Sequence, residues 1–238
     1  MRGRLKLDHA ASNLDQVENL EQILSTLRHE IGNSVNSLKV TLDVLRENYD
    51  RFDDEKKKDY LKRGSDLIAR QAKMVEAMKS YSRFEVTELE EISFLSLWEK
   101  LLTTWSSKLK DRNIRFVHNL EVGPCSVWGN SKAVQQAMTN ILDNAMESVE
   151  DIEDPTIELG ATGDNGSVTL TVKDNGAGIE TNNLQKVFAP LFTTKPGKMG
   201  MGLPIARRLL SKMEGHIEIY SHSGGGTEAV VWLRIPQD

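Results

Sequence analysis

The feature that most narrows what this chain can fold into is a proline-free stretch from residue 12 to 84, interrupted only by Gly32 and Gly64. Within its first part Leu20, Leu24, Leu27, Ile31, Val35, Leu38, Leu42 and Leu45 recur at steps of three and four. That spacing draws one continuous apolar stripe along a helix. In the second part, from about Asp53 to Arg83, Tyr60, Leu67, Met74 and Tyr81 fall at sevens, with Leu61, Ile68 and Val75 beside them. Turn-forming residues from Asn48 to Asp54 join the two helices as an antiparallel pair. A lone hairpin hides its stripe from one side only. Seven-residue repeats on both helices therefore predict a second copy and a dimeric four-helix bundle; the alternative is docking onto the chain's own C-terminal half.

The remaining residues of this 238-residue chain suffice for a further small domain with a core of its own. The formal charge of −5 offers no basic stripe to neutralise phosphates, so nucleic acid is not an expected partner. Cys125 is the single cysteine, which excludes an internal disulfide and a cysteine metal cluster and suits a reducing cytosol. No apolar run approaches the roughly 20 residues a membrane helix needs, and no signal peptide precedes residue 30. The expectation is a cytoplasmic chain, or the cytoplasmic portion of a longer sensor, without a membrane segment of its own.

After Phe84 the periodicity changes. An acidic linker (85–91) leads to a predicted helix from Phe94 to Lys110 and a strand near 114–118. A helix from Ser131 to Glu150 follows, then strands at Thr156–Ala161 and Val168–Lys173 joined by a Gly-Asp-Asn-Gly turn. The pattern ends with a helix from Met201 to Met213 and strands near 217–220 and 228–235. Strands and helices interleave without regular βαβ repetition, which predicts an α+β sandwich. The expected domains are a helical hairpin over 1–85 and a sandwich over 86–238.

Four elements of that second half carry chemistry together that none carries alone. Asn140 and Asn144 stand one turn apart on a helix face, where their amide oxygens can serve a hard cation such as Mg²⁺. Asp174-Asn175-Gly176-Ala177-Gly178-Ile179 follows a strand; its carboxylate can accept from an exocyclic amine, and its glycines admit a base closely. The same residues also make an ordinary tight turn. Phe188, Phe192, Thr193, Thr194 and Lys195 precede Gly197, Gly200 and Gly202, immediately before a helix. Glycines at a helix N-terminus leave backbone N–H groups and the helix dipole aimed at an anion, and Lys195 and Lys198 add charge.

In this order Asn140 with Asn144, D-N-G-A-G-I, V-F-A-P-L-F-T-T-K and G-M-G-L-P-I-A resemble the N box, first glycine box, F box and second glycine box of sensor histidine kinases. H-E-I-G-N at His29 resembles their phosphoacceptor motif, so the resemblance spans about residues 20–236. It implies a dimerisation and histidine-phosphotransfer hairpin followed by an α/β sandwich of the Bergerat ATP-binding type. It implies ATP bound through Asn140, Asn144, Asp174, Gly176, Gly178, Ile179, Phe188, Thr194, Lys195, Gly200, Gly202 and Leu203. Mg²⁺ would sit on Asn140 and Asn144, and the segment from Thr193 to Gly202 would form a mobile lid. The implied partner is a response-regulator receiver domain. Input would come from a separate sensor protein or a sensor domain outside this chain, since 28 residues before His29 leave no room for one.

The catalytic set is then His29, Glu30 and Asn33. His29 lies two residues after Leu27 and two before Ile31, so it projects away from the apolar stripe. A neutral imidazole is nucleophilic at one nitrogen, while Glu30 can accept the proton held on the other. Asn33 shares the His29 face; in similar kinases an amide there orients water for dephosphorylating the partner aspartate. His9, His118, His216 and His222 lack an acidic residue following on a periodic helix.

The chain departs from the pattern at Ser34, where many relatives have a kinking proline, and at Glu147 and Ser148, where a lysine and an aromatic are common. Lys198 stands where a glycine is frequent. Two alternatives stay open: an ATPase of the gyrase and chaperone group, disfavoured because Asn140 replaces the glutamate that activates water, and a nucleotide-binding scaffold without kinase activity.

Overall fold

The computed structural model describes residues 25, 28–29, 31–83, 86, 88–164, 166–195, 198–221 and 224–236. Leu20, Leu24, Leu27, His9, Asn165, Gly197 and His222 lie outside them. The chain divides into two compact units, Met1–Ser80 with Thr193–Met199, and Tyr81–Phe192 with Gly200–Asp238.

In the first unit, residues 31–47 form helix α1, and helix α2 (Asp54–Arg83) lies in it as far as Ser80. The turn between them is built from its own side chains. Asn48 donates its amide to the Val44 carbonyl (2.9 Å), and its carbonyl accepts from Arg51 and Phe52. The Asp53 carboxylate then accepts from Lys56 N at 2.8 Å, capping α2. Phe52 stacks on Tyr60 with ring centres 5.3 Å apart, and Lys57 lies over the Tyr49 ring. A Cβ on Gly64 would meet Leu38 Cδ1 at 3.6 Å. Leu38 and Gly64 are equidistant in sequence from Arg51, so this approach makes the helices antiparallel neighbours. The apolar stripe divides between faces. Leu45 and Met74 are buried, whereas Leu61, Ile68 and Val75 remain 48–57% exposed.

The second unit opens with the short strand β1 (Glu90–Ser93), which pairs antiparallel with β3 (Ser126–Gly129). Neither strand was legible in the sequence: the acidic stretch expected to be linker contributes the whole start of β1. Helix α3 (Phe94–Lys110) and helix α4 (Ser131–Ser148) are capped by Ser93 and Asn130 respectively, each side chain accepting from a first-turn N–H. Strands β2 (Arg115–Glu121), β4 (Thr156–Asp164), β5 (Ser167–Asp174), β7 (Thr227–Arg234) and β6 (His216–Ser221) form one sheet in the order β2-β4-β5-β7-β6. The β2–β4 pair is parallel and the rest are antiparallel. A single helical turn α5 (Thr181–Leu184) and helix α6 (Gly202–Ser211) complete the unit.

Period-two alternation puts Ile157, Leu159, Ala161, Val168, Leu170, Val172, Ala229, Val231 and Leu233 on one buried sheet face. Helix α4 answers with Ala133, Val134, Ala137, Met138, Ile141, Leu142 and Ala145, all buried, and packs against α6 and β5. Lys108 ties α3 to α4 by its 2.5 Å contact with Asp143, while its ammonium lies 4.2 Å from the centre of the buried Trp105 ring. Each large side chain taken from water here contributes roughly 1.5–3 kcal/mol. Leu142→Ala, at a position with no exposure, is expected to destabilise this unit by about 2–5 kcal/mol, read as a lower midpoint in urea unfolding followed by tryptophan fluorescence.

Candidate nucleotide site and phosphoacceptor helix

Helix α4 buries its apolar stripe, and that orientation carries Asn140 and Asn144 to its half-buried margin. There they meet the start of α6. A Cβ on Gly202 would stand 3.6 Å from Asn144 Nδ2 and 3.8 Å from Asn140 Cβ, so the bare glycine lets the helix terminus approach both amides. Unlike α3 and α4, α6 receives no side-chain cap: its N-cap residue is Met201, which supplies none. First-turn N–H groups of such a helix are left for an outside acceptor.

One buried donor faces the same need. Asn140 Nδ2 has no hydrogen-bond partner among the described residues. Leaving such a group unsatisfied costs about 1–3 kcal/mol. An anionic oxygen would satisfy it, and the amide oxygens of Asn140 and Asn144 are hard donors of the kind Mg²⁺ takes alongside phosphate. Among the described residues no cluster of three or more His, Cys, Asp or Glu is placed to hold a metal. The donor set therefore fits a cation brought in with phosphates, and not a resident all-protein cage.

Asp174 ends β5 with only 6% of its surface exposed, and its Oδ1 accepts from Gly176 N at 2.9 Å. The turn after it is crowded. A Cβ on Gly176 would fall 2.4 Å from the Ser148 carbonyl, and one on Gly226 would fall 2.1 Å from the Asp174 carbonyl. Asn175, in contrast, is structural: its Oδ1 accepts from Thr156 N and its Nδ2 donates to the Asp154 carbonyl, both at 2.8 Å. Gly178 takes a positive φ of 72°, and Ile179 N donates to Ser221 Oγ at 2.8 Å.

Between this turn and α6, Leu191 and Gly200 both take positive φ, 66° and 62°, and Leu191 N donates to the Gly200 carbonyl at 3.1 Å. The stems of the intervening segment are thus joined. Thr194 is exposed and Lys195 half-buried, with Lys195 N donating to Thr193 Oγ1 at 3.1 Å. The guanidinium of Arg207 lies 5.0 Å from the centre of the Phe188 ring. Leu203, on the first turn of α6, is half-buried.

In the first unit His29 is helical and exposed, and Asn33, one turn on, brings Nδ2 to 3.1 Å from His29 Nδ1. Glu30 lies outside the described residues.

Three residues join the Asp174 turn that motif reading passed over. Sheet pairing sets Asp174 opposite Thr227. Ser221 Oγ donates to the Gly226 carbonyl at 2.6 Å and lies 3.2 Å from Thr227 Oγ1. The glycine run before β7 was the available signal, but its register against β5 was not.

Residues 129–238 match the family described as histidine kinase-, DNA gyrase B-, and HSP90-like ATPase. The relatives found by sequence are named sensor histidine kinases and sensor proteins. The chain is 28% identical over 214 residues to the C4-dicarboxylate transport sensor protein DctB of Pseudomonas aeruginosa, covering 89% of this chain and 35% of that protein. It is 28% identical over 221 residues to the methanogenesis regulatory histidine kinase FilI of Methanothrix harundinacea, covering 91% of this chain and 25% of that protein. The chain thus spans about a third or less of these curated relatives. Among solved structures, histidine kinase ThkA in complex with response regulator protein TrrA superposes with a TM-score of 0.69 at 21% identity, over 97% of this chain and 66% of that one. The isolated ThkA catalytic domain gives 0.56 at 23% identity, over 62% of this chain and 98% of that one. Both likenesses establish the fold.

Two glycines separate crowding from conformation. Gly224 (φ 74°) has open space around a Cβ, so Gly224→Ala is expected to cost about 1–2 kcal/mol. Gly226 (φ 78°) has the Asp174 carbonyl in the way, so Gly226→Ala should cost at least about 3 kcal/mol in the same denaturation experiment.

Proposed function

We propose that the chain is the catalytic core of a dimeric protein-histidine kinase that phosphorylates itself on His29 from ATP and passes the phosphoryl group to an aspartate of a response regulator. The observation that carries this reading is the partnerless buried amide of Asn140 beside the uncapped start of α6, inside a domain of the histidine kinase-like ATPase family. Asp174, Gly176, Gly178 and Ile179 would hold the adenine end of the nucleotide. Asn140, Asn144, Gly200, Gly202 and Leu203 would meet the phosphates, and Phe188, Thr194 and Lys195 would belong to the covering segment. Mg²⁺, taken up on the Asn140 and Asn144 side-chain oxygens, would neutralise charge on the phosphates.

On the other unit, the exposed His29 is available to a nucleotide and to a globular partner alike. Glu30 would take the imidazole proton, and Asn33 would orient water when the regulator is dephosphorylated. ThkA, which shares the fold over nearly the whole chain, is known in complex with a response regulator. The exposed Leu61, Ile68 and Val75 at sevens on α2 suit a second copy of the hairpin and a four-helix bundle. No described helix is long and apolar enough to cross a membrane. We place this part of the protein in the cytoplasm, with its signal supplied from another domain or protein.

Incubation with γ-labelled ATP and Mg²⁺ tests the core of the reading. Wild-type protein should acquire acid-labile label, His29→Ala should acquire none, and a cognate receiver domain should drain it. Released phosphate without labelled protein would instead mean an ATPase, and binding without either would mean a scaffold. Asp174→Asn should weaken binding of a non-hydrolysable ATP analogue by at least about tenfold in calorimetry, the loss of one charged hydrogen bond. Ile68→Glu should convert the dimer to monomer in light scattering; an unchanged mass would place the dimer contact elsewhere.

A further inference from the structure

At the free edge of its sheet the second unit has a cavity of about 520 Å³ that the nucleotide reading does not use. It lies between helix α3 and strand β2. Lys110 of α3, Asn113 and Ile114 of the turn, and Arg115, Phe116 and His118 of β2 stand in its walls. Strand β2 pairs only with β4, and Phe116 and His118 stand in register with Ile157 and Leu159, on the sheet face that the helices pack against. No carboxylate lines this cavity among the described residues, in a chain of net charge −5. Its cations differ from their neighbours. Lys108 is paired with Asp143 and Arg112 with Glu150, whereas the ammonium of Lys110, between them in sequence, has no hydrogen bond or ion pair among the described residues. Arg115 donates from its backbone N–H to the Pro155 carbonyl at 2.8 Å and from Nε to Oγ1 of the buried Thr156 at 3.3 Å. Those two bonds hold the guanidinium and leave its terminal nitrogens available. The turn is fixed too: Asn113, at φ 57°, and Ile114 donate their N–H groups back to the Lys110 and Leu109 carbonyls.

We infer that this cavity binds a small organic anion with an aromatic body, at a site separate from the nucleotide site. A guanidinium held in place presents paired N–H donors to a carboxylate or a phosphate, and Lys110 adds a point charge beside it. The half-buried Phe116 ring and the buried Ile114 side chain give an apolar wall for the body of the ligand. The His118 ring, 5.9 Å from that of Phe116, borders it. Size agrees, since pockets for small ligands run from roughly 300 to 1,000 Å³. The positive surface is short, because β2 ends on Glu121, so an extended acidic peptide gains nothing beyond the cavity. The site makes no use of Asn140, Asn144 or Asp174, and it stands whether or not the nucleotide reading holds.

The test uses the full chain, with a non-hydrolysable ATP analogue and Mg²⁺ in excess so that the nucleotide site cannot answer for the cavity. Phenyl phosphate and phthalate are the probes, titrated to about 10 mM by calorimetry and by ¹H–¹⁵N spectra. At least one should bind saturably and shift the amide signals of residues 113–118; which one does so separates phosphate from carboxylate recognition. Its affinity should fall about tenfold or more in Arg115→Gln and about threefold or more in Lys110→Gln. Lys110 is exposed at the end of α3, so the second variant keeps the test open if loss of the Arg115–Thr156 bond disturbs the strand. Inorganic phosphate, which lacks the body, and benzyl alcohol, which lacks the charge, should each bind at least about tenfold more weakly. No saturable binding of either probe, unchanged affinity in both variants, or inorganic phosphate binding as tightly as phenyl phosphate would overturn the inference. So would hexaglutamate binding more tightly than either probe. An analogue that gives no heat of its own would instead count against the nucleotide reading, while the signals of residues 113–118 still decide the cavity.

Discussion

The candidate nucleotide site depends on one close approach, that of the first residue of α6 to the amide face of α4. Gly202 has no side chain to hold the helices apart, so the uncapped start of α6 comes beside Asn140 and Asn144. The approach is held from behind by α4 and α6 packing together over the sheet, with Met138, Leu142, Leu209 and Leu210 fully buried. Apolar burial thus supplies the free energy, and the polar cost falls at the margin. The buried Asn140 donor without a partner is that cost, retained where an anion can remove it.

A second constraint closes the other end of the site. The Asp174 carboxylate is held by Gly176 N, and the Asp174 carbonyl leaves no room for a Cβ at Gly226. Ser221 links Ile179 N to the Gly226 carbonyl through a single hydroxyl. Three strands, β5, β6 and β7, therefore converge on one turn. The glycines let its backbone segments pack closely, and the hydrogen bonds fix their register. The helical unit solves a different problem. It leaves His29 exposed while burying Leu45 and Met74, and Gly64 faces Leu38 between its two helices.

Much of this architecture was legible before any coordinates. Helix α3 falls on the predicted residues, and the cores of α4, α6, β4, β5 and β7 lie within the expected segments, because each carries a strong period and a capping or turn residue at its end. The two-stranded sheet of β1 and β3 was missed: four residues alternate too briefly to register, and Glu90 and Glu91 read as solvated linker. Asn175 bears out the tight-turn reading of the same residues: its amide is spent on Thr156 and Asp154.

By itself the sequence determined the two kinds of unit, the order of the chemistry-bearing segments and the helix face that carries His29, since all of these follow from local spacing. Only the tertiary structure decided that Ser221, Gly226 and Thr227 stand at the Asp174 turn, that Asn140 has a buried donor to spare, and that Asn33 reaches Nδ1 of the histidine. The first depends on strand register between residues some fifty apart. The second depends on the depth at which α4 sits, and the third on rotamers. None of these is encoded in the period of a pattern, because each is set by how already-formed surfaces come into contact.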